Sequence, residues 1–170
     1  ARRDCGRGGL HPGALEHGAV LKTAQEWIEA LQLARHPEGG WFRRVFESEL
    51  TVEGSRPAMT SIYYLLENTD FSALHRLKQD EQWHFYHGSP ITIHEIDAAG
   101  VYGGTTLGTD GFQHTVRAGN LFGASVEEGY ALVGCTVVPG FDFADFELPS
   151  RAELLRDYPQ HAEMIRRLSR

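Results

Sequence analysis

The feature that most constrains the fold is a series of short segments with a period of two, separated by glycine-rich turns. The first begins at Trp41, and the last, residues 130–138, ends at Pro139-Gly140. A period of two places successive side chains on opposite faces of a strand. Helical spacing occurs only near the two ends of the chain. The pattern therefore predicts an all-β barrel or sandwich with a helix near the N-terminus and short C-terminal helices.

The N-terminal part of the chain differs from this central region. Residues 1–20 are rich in Gly, Arg and His and lack the apolar core of a secretory signal, so we expect a flexible extension. The remaining residues, 21–170, are of a length that suits a single domain. A capping box at Thr23 and Glu26 predicts an amphipathic helix that extends to about Ala34.

Composition limits the class of partner. The net charge of −7 over 170 residues argues against nucleic acid, and we find no apolar run long enough to span a membrane. Cys5 lies in the N-terminal extension and Cys135 in an apolar strand, which argues against a disulfide framework. We therefore expect a cytoplasmic protein that binds neither nucleic acid nor membrane and takes a small-molecule ligand.

The segment Phe71–Gly88 concentrates the chemistry. It reads as two strands joined by a polar turn, with His75 before the turn and Glu81 after it. Burying a carboxylate on an aromatic strand is costly unless a partner compensates for it. The sequence therefore predicts that His75 and Glu81 converge, either directly or through a metal that both hold.

Such a pair serves several chemistries. It can ligate Fe, Mn, Ni or Zn, or act as a general acid and base, or bind a polar ligand without reaction. A structural hydrogen bond that closes the turn is the alternative. A metal would need a third ligand from His84, His94 or His114, and His84 is out of phase with Glu81 on an ideal strand.

Other residues are candidates for the interior of the barrel. Arg43, Ser61 and Tyr63 are placed by strand alternation on one face, where Arg43 would bind an anionic group. Cys135 has no basic neighbour in its apolar strand, so we do not expect a nucleophile. The aromatic residues that follow it are expected in the core or at an interface: Phe141, Phe143 and Phe146.

Two motifs resemble those of the cupin superfamily. His75, Glu81 and Gly88 have the spacing of the first cupin motif, whose second histidine is here Leu77. Arg117-x-Gly119-x-x-Phe122 resembles the second motif, with Arg117 at the proline position, Phe122 at the metal-binding histidine and Val126 at the asparagine. The resemblance implies four metal ligands, of which His75 and Glu81 remain, so any divalent metal would have an incomplete ligand set.

A longer match resembles the cupin-five family of mostly uncharacterised small cupins. It extends over residues 21–170 and includes these stretches: His36-Pro-Glu-Gly-Gly-Trp-Phe, Thr60-Ser61-Ile-Tyr-Tyr-Leu-Leu, Asp80-Glu81-x-Trp83-His84-Phe85 and Pro139-Gly-Phe-Asp-Phe. The resemblance implies a double-stranded β-helix, the cupin jelly-roll barrel, with an internal ligand cavity. It also implies a homodimer and a fold similar to that of dTDP-sugar epimerases.

Three functions follow as hypotheses. The first is an isomerase or epimerase of a sugar-like or nucleotide-linked substrate, in which His75 is the base, Glu81 orients it and Tyr63 or a water returns the proton. The second is a non-catalytic binding protein whose ligand stacks on Trp83 or Phe122. The third is a metal-dependent oxygenase or lyase that uses His75, Glu81 and His84. Arg43, Ser61, Trp83, His84 and Phe122 are the predicted substrate-binding residues.

Overall fold

The computed structural model describes residues 22–170. The predicted N-terminal extension, residues 1–20, lies outside the described residues. The strands are β1 (Ala34–Arg35), β2 (Trp41–Glu47), β3 (Thr51–Val52), β4 (Arg56–Pro57), β5 (Thr60–Glu67), β6 (Ser72–Leu77), β7 (Asp80–Gly88), β8 (Ile91–Ile96), β9 (Tyr102–Leu107), β10 (Gln113–Val116), β11 (Leu121–Val126), β12 (Tyr130–Val138) and β13 (Phe146–Glu147). The helices are α1 (Ala24–Ala30), α2 (Arg151–Asp157) and α3 (Ala162–Arg167).

Two antiparallel sheets form the barrel. Six strands are ordered β1-β2-β5-β12-β7-β10, and five are ordered β13-β6-β11-β8-β9. Strands β3 and β4 form a separate small hairpin. Apolar side chains from both sheets fill the space between them, since each strand alternates one inward and one outward residue. The predicted all-β jelly-roll barrel is confirmed.

The helices cover outer faces of the barrel. Helix α1 begins at the predicted capping box of Thr23 and Glu26, and its Ile28 packs on Leu65 and Leu132 outside the six-stranded sheet. It ends earlier than predicted, with Gln32 in a left-handed conformation (φ 52°). Helices α2 and α3 cover the five-stranded sheet through an apolar cluster. None of the described helices has the length and apolar character needed to cross a bilayer.

The relation between β6 and β7 differs from the expected pair of adjacent strands. The polar turn between them carries the chain from the five-stranded sheet to the six-stranded sheet. Consequently His75 on β6 and Glu81 on β7 belong to different sheets and are not neighbours on a hydrogen-bonded ladder. This crossing is what brings groups from both sheets to one cavity.

Candidate functional site

A cavity that offers about 50 Å³ to the centres of water-sized molecules lies between the two sheets. Its apolar wall consists of aliphatic and aromatic side chains from both sheets and from the segment after β12: Phe42, Ile62, Leu77, Val137, Phe141, Phe143 and Phe146. Its polar groups are His36, Glu38, Arg44, Thr60, Tyr64, His75, Glu81 and Cys135. An apolar cavity with a few convergent polar groups is typical of a small-molecule site.

Glu38 is the immediate partner of His75. His75 Nε2 lies 3.3 Å from Glu38 Oε2, and His75 Nδ1 lies 2.7 Å from the carbonyl oxygen of Ala73. Ser72 donates to Glu38 Oε1 at 2.8 Å. An ionised Glu38 and the Ala73 carbonyl are both acceptors, so His75 either carries two protons or faces a proton held on Glu38. The His75–Glu38 contact therefore contains one exchangeable proton.

The turn between β1 and β2 brings Glu38 to this position. Gly39 has a φ of 120° and lies so close to Phe71 that an added Cβ would be 2.0 Å from its carbonyl oxygen. Glycine is therefore required there. The Ala73 amide donates to the Glu38 carbonyl at 2.9 Å, which fixes the turn on β6. The sequence contained this signal in His36-Pro-Glu-Gly-Gly, but neither His36 nor Glu38 was predicted to be functional.

His36 is a neutral neighbour of the pair. The Glu38 amide donates to His36 Nδ1 at 3.4 Å, so that nitrogen is unprotonated. The ring packs edge-on against Phe42, with 4.5 Å between centroids. Burial lowers the pKa of His36, the charge of Glu38 opposes this, and His75 lowers the pKa further. We conclude that His36 contributes shape and a fixed dipole to the site.

Unlike an ordinary carboxyl group, Glu81 keeps its proton at neutral pH. Burial, followed by the charge of Glu38, raises the pKa of Glu81 to about 8, and a hydrogen bond with Cys135 opposes this rise. Glu81 is only 7% exposed. Burial also raises the pKa of the Cys135 thiol well above its usual value, in agreement with the expectation that Cys135 is not a nucleophile. At neutral pH the cavity therefore holds a protonated Glu81 beside Glu38.

Tyr64 closes the floor of the cavity. Its hydroxyl donates to the carbonyl oxygen of Gly39 at 2.9 Å, and burial raises the pKa of Tyr64 well above its usual value. The ring also contacts Trp83, with 5.9 Å between centroids. Tyr64 thus ties the turn that carries Glu38 to strand β5.

An aromatic segment forms the outer wall. Phe141, Phe143 and Phe146 contact one another at 5.0–6.2 Å between centroids, and all three line the cavity. Phe141 and Phe146 also pack against the main core cluster, as the sequence predicted, whereas Phe143 is 56% exposed. Their position at the cavity was not predicted. Sequence alternation could not locate them, because the segment leaves the sheet after Pro139 and folds back over the opening.

Asp145 holds this segment in place. It accepts from Gln79 at 2.8 Å and pairs with Lys78 at 3.0 Å and with Arg56. Hydrogen bonds from Lys78 and Gln79, followed by those of Arg56, lower the pKa of Asp145 to about 2. Arg56 also donates to the carbonyl of Gly140 at 3.2 Å. The two ends of the aromatic segment are therefore tethered to the barrel through Arg56.

Of the predicted catalytic residues, His75 and Glu81 line the cavity and Tyr63 does not. Tyr63 packs in the cluster under α1 and contacts the Tyr86 ring at 6.2 Å. Arg43 and Ser61 lie on the same outer face, where Arg43 contacts Gln32 and Ser61 contacts Thr136. Their placement in the cavity was wrong because alternation was assigned in the opposite phase. The neighbours that face inward are Arg44, Thr60, Ile62 and Tyr64.

The remaining predicted binding residues have other surroundings. Phe122 is buried with its ring 4.0 Å from that of His75, and Trp83 is buried in the core beside Tyr64. Neither lines the cavity directly, so neither offers the predicted stacking surface. His84 alternates with the inward-facing Trp83 and pairs with Gly134 on β12, which places it on the outer face.

The residues do not fit the metal site of the cupin pattern. Leu77 and Phe122 occupy two of the four ligand positions, and Leu77 contributes an apolar surface to the cavity. Within residues 22–170 no three His, Cys, Asp or Glu side chains are grouped so that they could hold a metal ion. Structural and catalytic metal sites usually require at least three protein ligands. His75 and Glu81 alone do not form such a site, and His84 points away from them.

Comparisons with known proteins agree with this fold. A family described as "Cupin superfamily (DUF985)" matches residues 25–149. A Shewanella oneidensis protein of known structure is 40% identical, with a TM-score of 0.86 over 88% of this chain and 99% of that one. A hypothetical protein from Leishmania major is 37% identical, with a TM-score of 0.82 over 87% and 99% of the two chains.

More distant similarity is restricted to the fold. Oxalate decarboxylase from Bacillus subtilis is 17% identical, with a TM-score of 0.54 over 79% of this chain and 36% of that one. No protein of curated function matches the chain significantly.

Proposed function

The chain belongs to the DUF985 family of the cupin superfamily, and we propose that it is an isomerase or epimerase that moves a proton beside a carbonyl group. The observation that carries this proposal is the pair of carboxyl groups in one apolar cavity, Glu38 and Glu81, because burial and the charge of Glu38 raise the pKa of Glu81 to about 8. When their surroundings move the pKa values of two titratable groups apart, one group can act as the acid and the other as the base.

Glu38 is the base and Glu81 the acid. The C–H bond beside the substrate carbonyl breaks, its proton passes to Glu38, and the electron pair forms an enolate whose oxygen receives the proton of Glu81. Glu38 then returns a proton to carbon while the enol oxygen gives its proton back to Glu81, which restores the carbonyl group and both carboxyl groups. His75 Nε2 is directed at Glu38, so we assign His75 the positioning role that the sequence had given to Glu81. Ser72 holds the other oxygen of Glu38.

An exchange assay tests this function. A panel of enolisable ketones, 2-oxo acids and reducing sugars in D₂O is monitored by ¹H NMR for loss of the signal beside the carbonyl. We expect exchange with at least one compound and a loss of about 100-fold or more in Glu81→Gln and Glu38→Gln, as is typical for removal of a general acid or base. Arg43→Gln on the outer face is the matched control. Exchange that persists in both cavity variants contradicts the proposal.

The second candidate is a binding protein without catalysis. The apolar side chains of the cavity wall favour it, because they would hold a ligand whether or not a proton moves. A compound that raises the melting temperature, yet exchanges no proton in D₂O and is recovered unchanged by mass spectrometry, would support this function over the first. The sugar-like or nucleotide-linked character of the substrate stays a prediction.

We also propose a homodimer through the outer face of the six-stranded sheet. Phe46 and Tyr86 are about half exposed there, and Tyr86 lies directly over Gly134, where an added Cβ would be 2.2 Å from its hydroxyl. Phe42 does not belong to this surface, because it lines the cavity. Light scattering should give twice the chain mass of 19.0 kDa. A mass of one chain would reject the dimer.

A further inference from the structure

The charge of the cavity is distributed unequally between its floor and its mouth. Glu38 and Glu81 lie on the floor, less than a tenth exposed. Arg44 is the only Lys or Arg among the described residues that line the cavity. An anionic group would be repelled by Glu38 and attracted by Arg44. A ligand with one charged end therefore has a preferred orientation, with its anionic group at Arg44.

Arg44 is available to a ligand. Its side chain is 40% exposed and pairs at 2.7 Å with Glu47, whose side chain is 51% exposed. Exposed ion pairs of this kind contribute little free energy, so a ligand anion can replace Glu47 at small cost. The guanidinium lies 6.0 Å from the centroid of the Phe141 ring. Arg44 therefore lies where the aromatic wall of the cavity meets the solvent.

The same features restrict the size and charge of the ligand. A diphosphate carries at least two negative charges, and one guanidinium at the mouth cannot balance both beside Glu38 in a chain with a net charge of −7. A carboxylate matches the fork of one guanidinium with two parallel hydrogen bonds. The apolar wall favours a ring or hydrocarbon body.

We propose that the substrate is a small monocarboxylate with an apolar body, bound with its carboxylate on Arg44 and its enolisable carbonyl on Glu38 and Glu81. Only the placement of the carbonyl end of the ligand rests on the proposed function. The placement of its carboxylate end rests on Arg44 and on the aromatic wall at Phe141. Arg44, and not the neighbouring Arg43, is the residue that selects the substrate by charge.

A matched pair of probes tests this selection. 3-Phenylpropanoate and 3-phenylpropanamide have the same body and differ in charge, and their dissociation constants are measured by calorimetry with the intact protein. We expect the acid to bind about tenfold more tightly than the amide, and Arg44→Gln to abolish this preference. Arg44→Lys should retain part of it. Arg43→Gln, on the other face of the same strand, should leave it unchanged.

The outcomes separate this inference from the proposed function. Equal binding of acid and amide to the unmodified protein, no binding of either, or a preference that survives Arg44→Gln overturns the substrate class. If the preference depends on Arg44 but no compound exchanges a proton in D₂O, the ligand class stands and the isomerase proposal fails. If exchange depends on Glu81 but the preference is absent, the acid-base proposal stands and the substrate class is wrong.

Discussion

The Nε2 atom of His75 on β6 lies 3.3 Å from Oε2 of Glu38, which belongs to a turn between two strands of the opposite sheet. Both side chains are buried, at 3% and 8% exposure. Removing one member of a buried charged pair is strongly destabilising, because the other charge is left without a partner. Removing both members together is less destabilising. This contact therefore links the two sheets through one imidazole and one carboxyl group.

We expect His75→Ala to lower the free energy of unfolding by about 3 kcal/mol, because Glu38 would remain buried without its imidazole. Glu38→Gln should cost less, since the amide retains hydrogen-bonding groups for Ser72 and His75. The double variant should be less destabilised than the sum of the two, by about 1 kcal/mol or more. Urea denaturation at pH 7 measures all three, with His84→Ala on the outer face as the control. If the effects of the two single substitutions simply add, the predicted interaction between His75 and Glu38 is contradicted.

Glu81 should make the protein less stable as pH rises. Its folded pKa of about 8 lies above the ordinary value of 4.5, so the folded state binds the proton more tightly. The resulting stabilisation is complete below pH 4.5 and is lost between pH 4.5 and 8. The effect is on the order of 5 kcal/mol. Glu81→Gln should make the free energy of unfolding nearly independent of pH over this interval. At pH 8.5 the variant should be more stable than the unmodified protein.

The matched control for that profile is Glu128→Gln, an exposed glutamate in the turn before β12. It should leave the pH dependence unchanged. A Glu81→Gln profile that runs parallel to that of the unmodified protein would contradict a raised pKa at Glu81.

Asp145 should have the opposite pH dependence. Its pKa of about 2 lies below the ordinary 3.8, so the stabilisation is present above pH 3.8 and is lost as pH falls towards 2. Asp145→Asn should lower the melting temperature at pH 7 and have little effect at pH 2. It should also accelerate proteolysis near Phe143, because the aromatic segment loses its tether. Exposed Asp110→Asn serves as the control, and equal melting temperatures at pH 7 would reject the tether.

Metal reconstitution tests whether the replacement of two cupin metal ligands prevents metal binding. Protein freed of metal with a chelator and then exposed to Fe, Mn, Ni or Zn should retain well below one equivalent, because Leu77 and Phe122 supply no ligand atoms. Leu77→His together with Phe122→His should increase retention. The increase is measured by elemental analysis, with circular dichroism to verify folding. One equivalent bound by the unmodified chain would overturn this reading.

The sequence was sufficient for the fold and for part of the site. Short alternating strands predicted an all-β barrel or sandwich, and the capping box at Thr23 predicted helix α1. The resemblance of His75, Glu81 and Gly88 to the first cupin motif implied the cupin barrel. The phase of β5 was not predictable from alternation, because both of its faces carry apolar and aromatic side chains: Ser61, Tyr63 and Leu65 on one, and Ile62, Tyr64 and Leu66 on the other. The outer face is apolar because α1 covers it.

The missed residues depend on contacts that are distant in the chain. Glu38 meets His75 only because the turn at Gly39 docks on β6, and Arg44 faces the cavity only because β2 follows the phase of β5. Such contacts are set by the closure of the barrel and not by local periodicity. The aromatic segment at Phe141 reaches the cavity for the same reason, through its tether at Asp145.

The protonation state of Glu81 tests the account most directly. Glutamate labelled with ¹³C at the side-chain carboxyl is titrated from pH 4 to 10 by NMR, and the Glu81 signal is assigned by its absence in Glu81→Gln. The account predicts an apparent pKa of about 8, with a shift towards lower pH in Glu38→Gln, since the charge of Glu38 contributes to the rise. A Glu81 signal that titrates near 4.5 in the unmodified protein would contradict the central claim.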